Sequence, residues 1–214
     1  MTDEGDDRRA RLASARLYLC TPDRPDLGEF VAAVAEAGAD IVQLREKQLP
    51  DRHLLARAAV AREAAQAAGA LFVLNDRPDL ALACGADGVH VGQDDVPPAV
   101  ARRILGADAL VGLSTHAPAE LDAAGPEPVD YVSVGPVEPT PTKPGRPGTG
   151  IDYVRLAAGR LAGGRPFFVT GGVTPDTLPG LLAAGARRFV VVRALTEAAD
   201  PAAVVRRLRR ILDA

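Results

Sequence analysis

The chain reads as an α/β protein, a single-domain (β/α)8 barrel, and three observations carry that expectation. Short apolar runs recur eight times in 214 residues, each continuous rather than alternating, as strands buried on both faces require. Ala-rich amphipathic stretches separate them. A punctuation closes most of those stretches: Ala37-Gly38-Ala39-Asp40, Ala68-Gly69-Ala70, Cys84-Gly85-Ala86-Asp87, Leu105-Gly106-Ala107-Asp108 and Ala184-Gly185-Ala186-Arg187. Glycine in that place ends a helix, because it takes the left-handed conformation without a Cβ clash. No composition break divides the chain, so eight βα units in about 200 residues close into one barrel. A doubly wound open sheet fits less well, because the first run leads into Thr21-Pro22-Asp23 and not into a Gly-rich dinucleotide turn.

The elements follow in order. Residues 1–13 are charged and aperiodic and read as a disordered N-terminal tail, which leaves 14–214 as the barrel domain. Leu17–Cys20 is the first strand, and a helix over Leu27–Ala37 follows Pro25 and Asp26. Asp40–Leu44 is the second strand, before a helix over Asp51–Ala68 with Asp51 as candidate N-cap. Leu71–Leu74 and Gly88–Val91 are the third and fourth strands. A helix over Pro97–Leu105, with proline in its first turn, leads to the fifth strand, Ala109–Leu113. After the sixth, Asp130–Val134, the chain spends Gly135–Gly150 on a proline-rich connection. Connections of that length in compact domains are usually functional or disordered. Thr140, Thr142 and Lys143 make this one competent to hold phosphate. Pro166–Thr170, a helix over Pro175–Ala184 and the strand Arg188–Val192 complete the set.

Hydrophobic residues make up 47% of the chain, enough for a sizeable core, while aromatics at 4% leave Ala, Val and Leu to fill it. A net charge of −3 argues against a nucleic-acid footprint, so an anionic ligand must be held by local cations. Cys20 and Cys84 have no metal-type spacing and read as buried thiols in a reducing compartment. No apolar run approaches the roughly 20 residues of a membrane span, and the charged N-terminus lacks a signal-peptide core. A cytoplasmic location is expected.

In barrels of parallel strands the ligand sits beyond the strands' carboxyl ends, where these runs turn polar. Gln43, Arg45 and Lys47 alternate along the end of the second strand and so share one face. If that face is the barrel interior, the cations need an anion to neutralise them; the plainer alternative is a solvated surface cluster. Asp76 follows the third strand and Asp95 the fourth, which would bring two carboxylates together. Their repulsion calls for a cation, and oxygen ligands with a phosphate suit Mg²⁺. Asp94 competes with Asp95, and helix capping is the plainer role for each. His53, His90 and His116 are scattered, and His90 lies inside an apolar strand as a core or supporting residue. No G-x-S-x-G elbow is present. Thr170-Gly171-Gly172 and Val192-Arg193 stand where many barrels bind phosphate through backbone N–H groups.

In register, Gln43-Leu44-Arg45-Glu46-Lys47, Asn75-Asp76, His90-Val91-Gly92-Gln93-Asp94-Asp95, Gly112-Leu113-Ser114-Thr115-His116, Thr140-Pro141-Thr142-Lys143, Gly171-Gly172 and the Val192 strand end resemble the thiamine phosphate synthase family. The likeness runs over essentially the whole chain from Leu17. It implies a TIM-barrel, Mg²⁺-dependent transferase of thiamine biosynthesis. Such an enzyme joins 4-amino-2-methyl-5-pyrimidinylmethyl diphosphate to 4-methyl-5-(2-phosphoethyl)thiazole and releases diphosphate. By the resemblance, Arg45, Lys47, Lys143 and Ser114 are catalytic. The pyrimidine diphosphate is held by Gln43, Leu44, Arg45, Glu46, Lys47, Asn75, Ser114 and Lys143. Thr140, Pro141, Thr142, Gly172, Val192 and Arg193 take the thiazole phosphate, and Asp76 and Asp95 the metal. Arg193 departs from a family position often held by serine. The implied partners are two small phosphorylated substrates, with no nucleic acid or membrane, and with room for a homo-oligomer. Two alternatives are a thiazole tautomerase-type paralogue, which needs no diphosphate-and-metal site, and a non-catalytic phosphometabolite-binding barrel.

Overall fold

The eight apolar runs form eight parallel strands in a computed structural model that describes residues 2–140 and 147–214. They are β1 (Leu17–Thr21), β2 (Ile41–Leu44), β3 (Leu71–Asn75), β4 (Gly88–Val91), β5 (Leu110–Thr115), β6 (Tyr131–Val134), β7 (Phe167–Val169) and β8 (Phe189–Val191). Each pairs with its sequence neighbours, and β8 returns to β1 with Leu17 opposite Phe189, so the sheet closes. The connecting helices are α1 (Asp3–Ser14), α2 (Leu27–Glu36), α3 (Asp51–Ala67), α4 (Pro78–Cys84), α5 (Pro98–Leu105), α6 (Pro118–Ala123), α7 (Gly150–Arg160), α8 (Leu178–Ala183), α9 (Arg193–Thr196) and α10 (Pro201–Leu212). The five punctuating glycines all take positive φ. Two helix starts differ from expectation. Pro50 occupies the cap of α3, while Asp51 opens the helix and pairs with Arg77 at 2.7 Å. The turn Thr174–Thr177 delays α8 to Leu178. Among the described residues no helix is long and apolar enough to cross a membrane.

The segment read as a disordered tail is instead helix α1, laid across the amino-terminal end of the barrel. Leu12, with Ala15 just past the helix, enters the cluster inside the barrel, and Gly5 packs against Asp108 so closely that a Cβ would lie 2.5 Å from its carboxylate. Arg8 pairs with Asp87 and Arg9 with Asp130, each at 3.0 Å. The charges that suggested a loose tail are therefore its anchors.

Those aspartates belong to a repeated device. Asp40, just before β2, accepts from the backbone N–H groups of Arg16 and Leu17 at the start of β1. Asp87, before β4, does the same for Phe72 in β3, and Asp130, before β6, for Val111 in β5. The carboxylate thus satisfies the first donors of the preceding strand, which would otherwise be orphaned at the barrel's end. Asp87 is 4% exposed and also receives Arg8. Asp87→Ala should therefore cost about 3 kcal/mol, since it strands a buried N–H and a guanidinium together. Urea unfolding of the two proteins checks this, the expected sign being a lower midpoint at unchanged slope.

Two cores result. The larger lies between sheet and helices and takes the outward side chains, among them Leu19, Val42, Leu44, Phe72, Leu74 and Val89. The smaller fills the barrel with Tyr18, Ile41, Leu71, Val73, Leu110, Tyr131 and Phe168. Its centre is aromatic, contrary to the expectation from composition. The Phe168 ring meets Tyr18 and Tyr131 edge-on at 5.4 and 5.5 Å. This packed centre is the floor on which the mouth of the barrel is built.

Candidate active site

Inward positions continue past the aromatic floor to the carboxyl ends of the strands, where they change from apolar to polar. There a cleft with about 880 Å³ of open space, counting its mouth, is lined by Gln43, Arg45, Asn75, Ser114, Thr140, Gly172, Val192 and Arg193, all expected from the sequence. Gln43 and Asn75 are each 5% exposed, and the Asn75 side-chain Nδ2 has no hydrogen-bond partner among the described residues. A buried donor left unpaired is costly, so this one is aimed at something that binds.

The expected grouping of Gln43, Arg45 and Lys47 on one face holds only in part. Strand β2 stops at Leu44, so the period of two ends there. Gln43 and Arg45 reach the cleft, while Lys47 turns to Asp76, with Nζ 2.6 Å from a carboxylate oxygen. Leu44 points the other way, into the outer core, so its side chain does not reach the cleft. Glu46 folds back to accept from the N–H groups of Lys47 and Gln48, and it is absent from the cleft lining. It shapes the turn.

Asp76 and Asp95 do meet, from the ends of neighbouring strands. Asp76 adopts φ +62°, the one positive φ at a non-glycine among the described residues, and its N–H is held by the His90 carbonyl at 2.8 Å. Burial pushes the Asp76 carboxyl up, and its hydrogen bond to Asp95 adds to this against the pull of Lys47. Asp95 is held below the usual carboxylate range. Burial works against that, but the hydrogen bond from Asp76, the Gly92 N–H at 2.8 Å and the charge of Lys47 outweigh it. The two neighbouring carboxyls are thus driven apart, Asp76 upward and Asp95 downward, as close acids are. Asp94, beside it in the chain, is exposed.

Across the cleft, Gly171 and Gly172 take φ of +91° and +76°. Side chains would collide there: a Cβ on Gly171 would lie 2.5 Å from Pro136, and one on Gly172 2.5 Å from Glu138. The turn is held by the Thr177 hydroxyl, which donates to the Gly172 carbonyl at 2.7 Å and accepts from the Thr174 N–H. Arg193 opens α9 at the cleft with an exposed side chain, and among the described residues it makes no ion pair with Glu197. The base of the long connection is laced shut: Thr149 donates to Pro136, Gly150 to Val137 and Val137 to Thr170. Pro141, Thr142 and Lys143 lie outside the described residues.

Sequence reasoning missed Tyr18, Cys20, Ser133 and Thr174 as lining residues. The signal was available across strands rather than along them, because Cys20 stands opposite Gln43 and Ser133 opposite Ser114.

Comparison with known proteins agrees with this geometry. Residues 17–195 match the family model described as thiamine monophosphate synthase. A thiamine-phosphate synthase of Thermobifida fusca (strain YX) is 55% identical over 210 residues, covering 95% of each chain. One from Mycobacterium bovis (strain BCG / Pasteur 1173P2) is 48% identical over 217 residues, covering 96% of this chain and 98% of the other. The solved structure of a thiamine phosphate pyrophosphorylase from Pyrococcus furiosus superposes with a TM-score of 0.84 at 30% identity, over 96% of this chain and 97% of that one. A closed eight-stranded barrel with polar strand ends, matched over nearly its full length, places the chain in the thiamine-phosphate synthase family, whose transferase activity in thiamine biosynthesis it carries.

Proposed function

We propose that this site joins 4-amino-2-methyl-5-pyrimidinylmethyl diphosphate to 4-methyl-5-(2-phosphoethyl)thiazole, with the diphosphate over the ends of β2 to β4 and the thiazole phosphate over those of β7 and β8. The observation that carries the reading is the contact between Asp76 and Asp95 beside Lys47, next to the unpartnered Asn75 amide. Two carboxyls in contact, with a phosphate to complete the shell, suit a divalent cation. Among the described residues no third His, Cys, Asp or Glu completes a metal-type cluster, so diphosphate oxygens and water would supply the other ligands, as Mg²⁺ prefers. Bound there, Mg²⁺ would neutralise charge on the departing diphosphate.

The chain's own residues do the rest. Arg45, Gln43 and Asn75 hold the diphosphate, and Lys47 offers it a cation once Asp76 is otherwise engaged. Lys143, by the family resemblance, adds another. Ser114 meets the pyrimidine or its leaving group. Gly172 and the Val192–Arg193 backbone, with Thr140, Pro141 and Thr142, take the thiazole phosphate. No side-chain nucleophile is required: the carbon–oxygen pair leaves with the diphosphate, the electron-rich aminopyrimidine bears the positive charge at its methylene, and the thiazole nitrogen then attacks that carbon. Donors fixed in advance act most strongly as that charge develops, and the cleft keeps the two partners aligned. Cys20 and Cys84 are buried and form no disulfide among the described residues, which suits a reducing cytoplasm.

Diphosphate release, measured with each substrate alone, with both, and with both plus EDTA, tests the reading. Release that needs both substrates and stops with EDTA supports it. Binding of the thiazole phosphate without any release would make the protein a binder instead. At the thiazole end, Arg193→Ser should weaken that phosphate's binding a few-fold and flatten its salt dependence, since an exposed guanidinium contributes a screened attraction. Titration at two ionic strengths reads both quantities.

A further inference from the structure

Four hydrogen bonds cross the floor of the cleft in a chain. The hydroxyl oxygens of Tyr18 and Tyr131 are 3.0 Å apart, and Tyr131 lies 3.1 Å from His90 Nδ1. His90 Nε2 lies 2.9 Å from Ser114 Oγ, to which Ser133 Oγ also donates at 3.3 Å. All five residues are buried, and they come from β1, β6, β4, β5 and β6 again. A close approach makes the middle of the chain possible: a Cβ at Gly112 would lie 2.2 Å from Tyr131 Cζ and 2.6 Å from His90 Nδ1. Only glycine leaves room for that bond.

The chain has a direction. Among the described residues the Tyr18 hydroxyl has one hydrogen-bond partner, Tyr131, and a buried proton without an acceptor costs more than a spare lone pair. Tyr18 therefore donates to Tyr131, which turns the Tyr131 proton onto His90 Nδ1. Burial holds both tyrosines well above their ordinary titration range, so each keeps its proton at neutral pH. A neutral imidazole that accepts at Nδ1 carries its own proton on Nε2 and donates it to Ser114 Oγ. With two donors arriving at its oxygen, Ser114 keeps its own O–H as a donor, at a position that lines the cleft.

We propose that Tyr131, itself oriented by Tyr18, is a positioning residue for the reaction: it fixes His90 as the Nε2–H tautomer and so makes Ser114 a hydrogen-bond donor to an acceptor atom of the pyrimidine diphosphate. The catalytic half of this rests on the reading that Ser114 touches that substrate; the tautomer does not. Ser114 then selects for a ring nitrogen or phosphoryl oxygen at that point and against an N–H or O–H. The reaction's proton balance is untouched, because the chain orients hydrogens and transfers none.

The test is ¹⁵N NMR of the histidine-labelled, ligand-free protein, with His90 assigned by a His90→Gln variant, run beside steady-state kinetics. Wild type should show His90 protonated at Nε2. Tyr131→Phe should give a mixture of tautomers, and Tyr18→Phe should loosen the preference in part, since Tyr131 can then point either way. In kinetics, Tyr131→Phe should lower kcat about tenfold with KM for the thiazole phosphate unchanged. It should cost little more when added to Ser114→Ala, as members of one chain are not additive. An Nδ1–H or doubly protonated ring in wild type, or an unchanged tautomer in Tyr131→Phe, overturns the proposal. Full activity in Ser114→Ala with the expected tautomers would instead remove the substrate contact and leave the orientation standing.

Discussion

Asp76→Asn should lose about a thousandfold in turnover with Mg²⁺ present, the effect of removing roughly 4 kcal/mol of charge stabilisation at the departing diphosphate. The substitution is a clean one. Asparagine tolerates the left-handed backbone that Asp76 adopts, so the turn between Asn75 and Arg77 survives. Asp95→Asn should behave alike, because its remaining oxygen still accepts from the Gly92 N–H. Each variant should also need more Mg²⁺ for half-maximal rate. Asp94→Asn, at the exposed neighbouring position, should cost far less turnover than either. Thermal unfolding of all three separates lost chemistry from lost structure. Damage confined to the Asp94 variant would move the metal ligand one residue along the chain, and near-normal rates in all three would abolish the metal seat.

The second large effect belongs to Arg45. Its half-buried guanidinium lines the cleft and makes no ion pair among the described residues, so it waits for an anion. Arg45→Ala should lower kcat by about a hundredfold or more, the usual cost of one fixed donor aimed at developing charge. KM for the thiazole phosphate, which the proposed function puts across the cleft, should move little. Arg45→Lys should recover only part of the rate, since an ammonium lacks the fork that grips two phosphoryl oxygens. If the main effect fell on KM for the thiazole substrate, Arg45 would belong to the opposite half of the site.

The strands were legible because burial on both faces writes a continuous apolar run, and only a closed or covered parallel sheet asks for that. Helix α1 was not. Its buried side is narrow, and what holds it are Arg8 and Arg9 reaching Asp87 and Asp130, partners 79 and 121 residues away. Nothing local marks such a pairing. At the site, Asp76, Asp95, Asn75 and Ser114 stood out because polar residues at strand ends are conspicuous against apolar runs. Leu44 and Glu46 were swept in with their neighbours, since a motif read as a string does not show that β2 ends at Leu44 and Glu46 bends back to its own turn. Tyr18 and Tyr131 were hidden for the opposite reason. They look like core, and they are core, but Tyr18 lines the cleft floor and the Tyr131 hydroxyl lies beneath it, between Tyr18 and His90.

The backbone at Asp76 has an outcome for anyone who tries to toughen this enzyme. A residue with a Cβ held at φ +62° gives up about 1 kcal/mol that glycine would not, and its carboxyl is also crowded against another acid. Asp76→Gly would relieve both at once. A library ranked by heat resistance alone should therefore enrich that change and fill with sturdy, inactive barrels. Screens that couple survival to product formation would keep the aspartate, and the gap between the two rankings at this one position would measure how much ruggedness the chain gives up to keep a carboxylate there.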